Sequence, residues 1–315
     1  MKRLLTALLC TAMVLTLPGC AKPDLQPVPS SEEHITFTDD LGREVSLPKP
    51  ERTAALIGSF AEVWCLAGGE DTLVAAAHDS WTQFDLGLSD QVADLGAIKE
   101  PNVELLLASE PDLVLGSTKT TADVELKGLL EQAGIPVAYF DVSSFSDYLR
   151  MLELCTRLTG QPDRYETYGT AIQDQVEAAI AKADGSRPSA LYIRATGKSC
   201  KVKNSQDTVL GEMLADLDCV NIADNKTALL ENLSMETIMV TDPDHIFIVL
   251  QGSDPSRAQA TLENALLSNP AWEGLTAVKE GRLHFMDQTL YSLKPNAKWG
   301  DAYENLAKIL YPEAF

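Results

Sequence analysis

The sequence predicts an α/β protein of two lobes, each a mainly parallel sheet flanked by helices, joined by one long rigid interdomain helix. Three observations lead there. Short apolar strands and amphipathic helices alternate along most of the chain, a pattern that means parallel sheets with helices on both faces. A fifteen-residue segment recurs after 132 residues, which implies two similar units. Between the two copies lies a helical stretch long enough to bridge domains. The boundaries that follow are a signal over residues 1–19, a tether over 20–33, a first lobe over 34–144, connecting helices over 145–183 and a second lobe over 184–315.

Taken in order, Met1-Lys2-Arg3 is a positive leader and Leu4 to Leu17 an apolar run. That run falls short of the ~20 residues a membrane span needs and reads as a signal. It closes on Leu17-Pro18-Gly19-Cys20, which resembles the bacterial lipoprotein box, so that Cys20 becomes the acylated first residue of the mature chain. The alternative is an ordinary cleaved secretory signal with an incidental cysteine. Ala21 to Glu33, with Pro23, Pro27, Pro29, Ser30 and Ser31, reads as a tether. No later stretch is apolar for long enough to span a bilayer.

Ile35–Thr38 and Glu44–Leu47 alternate across Asp39-Asp40-Leu41-Gly42 and predict a β-hairpin. The first lobe then reads as strand Thr53 to Ile57, helix Phe60 to Leu66, strand Leu73 to Ala77, helix Val103 to Ser109, strand Leu113 to Leu115, helix Val124 to Gln132 and strand Val137 to Phe140. Phe145 to Leu158 is a helix closed by Thr159-Gly160. A second helix starts at Pro162, a favoured first-turn position, and runs to Ala183. Tyr165, Tyr168, Ile172, Val176 and Ile180 form one apolar stripe along it, facing both lobes. At 1.5 Å per residue it spans about 30 Å, and such a strut resists wide hinge closure. The second lobe repeats the scheme with strands Ala190–Ile193, His245–Leu250 and Leu283–Met286.

With 25 basic and 46 acidic residues the chain carries a formal charge of −21. Loss of residues 1–19 removes Lys2 and Arg3 and no acid, which takes it to −23. Nucleic acid and anionic lipid surfaces are therefore excluded as partners. Cys65 and Cys155 sit in apolar helical patterns and read as buried thiols, whereas Cys200 and Cys219 either pair in an oxidising compartment or stay free. No spacing of cysteine or histidine suggests a metal or a cofactor. His34, His78, His245 and His284 are dispersed, and the last two read as structural strand residues.

Ligands of parallel sheets sit beyond the carboxyl ends of strands, and in two-lobed proteins between the lobes. The loops so placed are Gly58-Ser59-Phe60, His78-Asp79-Ser80-Trp81, Gly116-Ser117-Thr118-Lys119, Arg194 to Lys198, Gln251-Gly252-Ser253 and Gln288-Thr289-Leu290-Tyr291, with Lys201 and Lys203 close behind. The candidate ligand contacts are Ser59, Phe60, His78, Trp81, Lys119, Arg194, Lys201 and Tyr291. Basic residues are scarce in this chain yet collect at these loops.

The repeat pairs Pro101–Leu115 with Leu233–Phe247 without a gap. Each copy reads as an N-cap (Asn102, Ser234), a first-turn glutamate (Glu104, Glu236), a helix stopped by Pro-Asp, and a strand. Either glutamate suits the positive end of its helix and needs no further role. On these motifs, together with Asn269 to Leu283 and Lys294-Pro295-Asn296-Ala297-Lys298-Trp299, the chain from Ile35 to Pro312 resembles the rigid-helix (class III) substrate-binding proteins of ABC importers for ferric siderophores, haem and cobalamin. The resemblance implies that Glu104 and Glu236 dock on basic pockets of a permease dimer served by its ATPase. It further implies an extracytoplasmic protein that binds an iron chelate, haem or cobalamin; the reading is of a monomer held at the membrane by Cys20, and basic loops in so acidic a chain rank a ferric siderophore ahead of haem and haem ahead of cobalamin. Haem would need Tyr291, His78 or Met286 as an axial ligand.

An extracytoplasmic enzyme is the rival from another class, with His78-Asp79, Ser59 and Ser117 as its best residues; no Gly-x-Ser-x-Gly elbow, His-Glu-x-x-His or phosphate loop accompanies them. A ligand-sensing lipoprotein that docks to no permease is a third reading. Cys20→Ala should abolish acylation: metabolic labelling with a fatty-acid analogue should mark the wild type and leave the variant unmarked, and equal labelling would refute the anchor.

Overall fold

In the computed structural model the described residues are 34–206, 208–231 and 233–315; the expected signal, tether and Cys20 lie outside them. The chain opens with β1 (Ile35–Thr38) and β2 (Glu44–Leu47), an antiparallel hairpin with Ile35 opposite Leu47. Its turn is held by Asp39, whose carboxylate accepts from the Leu41 and Arg43 N–H groups and from the Arg43 guanidinium. Arg43 then donates to Val137 O and lies over the Tyr139 ring, which pins the hairpin to the first lobe.

That lobe contains β3 (Thr53–Ala55), β4 (Leu73–Ala76), β5 (Ala93–Asp94), β6 (Leu113–Ser117) and β7 (Val137–Phe140), all parallel in the order β5-β4-β3-β6-β7. The second sheet contains β8 (Ser189–Thr196), β9 (Cys200–Lys203), β10 (Val220–Asn221), β11 (His245–Gln251) and β12 (Leu283–Met286). Its parallel order is β10-β8-β11-β12, and β9 pairs antiparallel with β8. That hairpin partner explains why β8 runs three residues past the predicted Ile193: β9 satisfies the backbone there. β3 is shorter than expected, because Gly58 already begins the helix Gly58–Leu66. The predicted Val124–Gln132 helix starts earlier and divides into Thr121–Glu125 and Lys127–Gln132.

The repeat is structural at every step. Glu110 and Asp242, 132 residues apart, both adopt left-handed backbone (φ 45 and 44) before their prolines. The next aspartates tie each sheet's adjoining strand: Asp112 accepts from the Glu51 and Arg52 N–H groups, and Asp244 from the N–H and hydroxyl of Ser189. Hydrogen bonding to Ser189 holds the Asp244 carboxyl below its ordinary range.

The connection is the helix Phe145–Thr159, with a Ser144/Asp147 capping box and Gly160 in the left-handed conformation, followed by a second helix over 164–180. Five residues of the second, Glu166–Thr170, form a π-turn. Ile172, Val176 and Ala179 are buried, and Tyr165, Tyr168 and Ile180 pack beside them. The helix Trp299–Leu310 lies on this strut. Trp299 is buried among Phe145, Tyr148 and Tyr303, with ring centroids 5.8, 6.5 and 6.1 Å away. One apolar core runs from Leu115 and Phe140 of the first sheet through this layer to Tyr192 and Phe247 of the second.

Cys200 and Cys219 are free thiols in this structure, and His245 stacks on His284 and Phe247 within the second sheet. At Gly300 a Cβ would stand 2.8 Å from Gln175 Cβ across the strut contact. Gly300→Ala should therefore force the two helices apart and lower stability by about 1–3 kcal/mol in denaturant unfolding.

Candidate functional site: a cationic cleft between the lobes

The carboxyl ends of both sheets open on one cleft of 370 Å³. Ile57 and Ser59 follow β3, Asp79 follows β4, Ser117, Lys119 and Thr120 come from β6 and its loop, and Val142 and Ser143 follow β7. From the other lobe come Tyr192 and Arg194 on β8, Gln251 at the end of β11, and Ser292, Leu293 and Lys294 beyond β12.

Close backbone approach shapes the first-lobe wall. Asp79 accepts from the Gly58 N–H at 2.9 Å, and a Cβ at residue 58 would lie 2.7 Å from Ser80 N, so only glycine permits that approach. Burial raises the Asp79 carboxyl above its usual range. Behind the β6 loop, the wholly buried Asp123 accepts from the Ser117 N–H, and burial pushes its carboxyl up to about 7. Lys119 pairs with Asp141 at 3.1 Å.

On the opposite wall, Tyr192 and Arg194 point to the same side because side chains alternate along a strand. Their register partners across the hairpin are Lys203 and Lys201, so four polar residues share that face. The Arg194 guanidinium makes no hydrogen bond or ion pair among the described residues. Lys294 is half-buried, and burial lowers its ammonium below the usual value despite the Asp141 and Asp79 carboxylates. It is positioned by Asn296 two residues on, whose amide donates to Ser59 O at 2.9 Å and to Glu62 at 2.6 Å, joining the C-terminal loop to the first-lobe helix. Asn296 takes left-handed backbone (φ 51) to make that contact.

Of the eight residues expected at the ligand, the fold brings Ser59, Lys119 and Arg194 together at the cleft. Phe60 and Tyr291 are corrected to core residues: Phe60 meets the edge of Phe140 at 5.8 Å, and Tyr291 donates its hydroxyl to Ala302 O at 3.0 Å. Neither His78, whose Nδ1 lies 2.7 Å from Asp94, nor Trp81, half-buried against the core, lines the cleft. Lys201 is exposed on the hairpin away from the lining. Met286 is buried at the end of β12, so no residue expected as an axial haem ligand lines the cleft. Tyr192 and Lys294 were the residues missed. The signal for Tyr192 was its place two before Arg194 in a strand. Lys294 stood in the Lys-Pro-Asn stretch that helps carry the resemblance, with nothing local to aim it inward.

Glu104 and Glu236 are both exposed in the first turns of equivalent helices, capped by Asn102 and Ser234 at 3.0 and 3.2 Å. Neither forms an ion pair among the described residues. The helix-end role accounts for their stability, and their exposure leaves the carboxylates available to a partner.

Two lobes, a helical strut and a ligand-sized cleft at the strand ends define a bilobal binding protein. The Periplasmic binding protein family matches residues 54–290, and the chain belongs to it. It is 24% identical to the iron-uptake system-binding protein of Bacillus subtilis, over 97% of this chain and 96% of that one. It is likewise 24% identical to the ferric-anguibactin-binding protein of Vibrio anguillarum, over 89% and 88%. Among solved structures, the haem-binding protein of Roseiflexus shares the fold at a TM-score of 0.68 and 19% identity, covering 84% of this chain and 99% of that one. The petrobactin-binding protein of Bacillus subtilis does so at 0.68 and 17%, covering 90% and 99%. The family is one of transport binding proteins, which answers the enzyme reading of His78, Asp79 and the serines. No helix among the described residues is long and apolar enough to cross a membrane.

Because Asp123 is raised when folded, it binds a proton in the native state at a pH where the unfolded carboxyl is already ionised. Its contribution to stability is thus present near pH 4 and lost as pH rises through about 7. Relative to Asp123→Asn, the wild type should lose melting temperature between pH 5 and pH 8, a difference read by thermal unfolding at each pH; parallel curves would exclude the buried carboxyl as the cause.

Proposed function

We propose that the protein captures an iron chelate, a ferric siderophore, outside the cytoplasm and delivers it to an ABC permease dimer and its ATPase. In this reading it acts as a monomer held at the membrane by lipidated Cys20. The observation that carries the proposal is the meeting of Lys119, Arg194 and Lys294 in the cleft of a chain whose net charge is −21. A local field reversed against so acidic a background favours an anionic or oxygen-rich ligand, as ferric chelates commonly are. Two curated relatives named for iron uptake and ferric anguibactin support the same class.

Delivery rests on Glu104 and Glu236, one exposed carboxylate per lobe, set to meet two basic sockets and so to fix orientation. Both lie outside the cleft lining, so docking and ligand capture are separable. Replacing both by alanine should leave ligand affinity within about twofold while abolishing uptake in vesicles reconstituted with the permease. Normal transport by the double variant would refute the docking role. Native mass spectrometry after incubation with ferric siderophores, haem and cobalamin should retain a ferric siderophore; retention of haem or cobalamin alone would overturn the ligand class.

A further inference from the structure

Within that iron-chelate reading, we propose that the ligand carries a free carboxylate or comparable oxyanion, seated against the second-lobe wall by Arg194 and Lys294 with the hydroxyls of Tyr192 and Ser292 as donors. The seat is distinguished by what its atoms lack elsewhere. Tyr192 is wholly buried, lines the cleft, and its hydroxyl has no hydrogen-bond partner among the described residues. Ser292, just past the helix Gln288–Tyr291, has a buried hydroxyl in the same condition and lines the same cleft. Other buried polar atoms among the described residues also lack partners, Thr53, Ser80 and Trp299 among them, but Tyr192 and Ser292 are the two of that set that line the cleft, where a ligand can complete their hydrogen bonds.

The charges fall the same way. On the first-lobe wall Lys119 is matched by Asp141, and Asp79 is engaged with the Gly58 N–H. On the second-lobe wall Arg194 and Lys294 have no ion pair among the described residues. Arg194 brings positive charge to the wall beside Tyr192, two residues away on one strand face, and Lys294 adds to it while also feeling the Asp141 and Asp79 carboxylates across the cleft. A guanidinium presents its N–H groups as a planar fork that matches a carboxylate, and an ammonium adds a point charge. Burial drives the phenol of Tyr192 up to about 12, so at neutral pH it keeps its proton and is able to donate. Arg194, Lys294, Tyr192 and Ser292 can all donate from one wall, and such a set fits an oxyanion. It fits poorly a neutral chelate whose every acidic oxygen is already on iron.

The test is titration calorimetry of the whole protein with three probes: ferric dicitrate, which bears free carboxylates; ferrichrome, a neutral trihydroxamate; and haem, whose carboxylates are remote from its iron. The expected result is binding of ferric dicitrate well above ferrichrome. Tyr192→Phe should weaken ferric dicitrate about tenfold, and Arg194→Gln with Lys294→Met about a hundredfold, while Lys294→Arg retains binding. Tyr192→Phe removes one oxygen without altering volume, and its melting curve confirms that the fold is kept. Ferrichrome bound as tightly as ferric dicitrate, and indifferent to these substitutions, would overturn the oxyanion seat and leave the iron-chelate reading standing. Haem bound alone, and lost in the Arg194→Gln, Lys294→Met variant, would support the seat and overturn the iron-chelate reading.

Discussion

The relation between the two sheets depends on one continuous apolar core that runs from one to the other, while each sheet packs a separate core on its other face. The strut over 164–180 and the helix Trp299–Leu310 lie between the sheets and share buried side chains with both. Trp299, Tyr303, Tyr148 and Phe145 bury large aromatic surfaces there, and such groups dominate core energetics. Two lobes separated by a flexible connection could vary in angle at little cost. Here a change of angle would expose part of that layer to water, at roughly 25 cal/mol for each Å² of apolar surface. Close packing at Gly300 against Gln175 tightens the same constraint, because interiors this dense do not deform continuously.

A fixed relation between lobes makes the cleft a property of the fold. Parallel strands deliver their carboxyl ends to one side, and the loops there carry the polar residues. Asn296 closes the arrangement by bonding across to Ser59 and Glu62, which sets Lys294 at the mouth of the second lobe. The cleft is thus asymmetric: Lys119 on the first-lobe wall is paired with Asp141, whereas on the second-lobe wall the Tyr192 and Ser292 hydroxyls have no partner among the described residues. Outside the cleft, the two capped helices place Glu104 and Glu236 at equivalent positions. Under the docking role proposed for these two glutamates, ligand capture and partner contact use different surfaces of the protein.

The duplicated helix-Pro-Asp-strand unit shows how a sequence repeat becomes architecture. Glu110 and Asp242 turn the chain in the left-handed region, the prolines end the helices, and Asp112 and Asp244 bind the backbone that enters the neighbouring strand. The cap, the Pro-Asp stop and the strand of each copy are local and legible, whereas the aspartate contacts reach back 61 and 55 positions and are not. Hairpin β1–β2, strands β7 and β12 and the capped helix after Ser144 fall where alternation, turn chemistry and capping residues place them. Local rules suffice there because the forces are local: dihedral preference, capping bonds and the period of apolar residues.

By itself, then, the sequence determined the class of fold, the order of its elements, the two matched glutamates and the loops that end at the cleft. Which side chains on those loops face the cleft was decided by tertiary structure. Phe60 and Tyr291 stand on cleft loops in the sequence, yet burial against Phe140 and the Ala302 carbonyl draws them into the core. Tyr192 and Lys294 reach the cleft only because β8 turns that face inward and Asn296 anchors the final loop across the lobes. Orientation of a side chain is settled by contacts between residues far apart in the chain, in the case of Asn296 and Ser59 by 237 positions, and no local pattern carries that information.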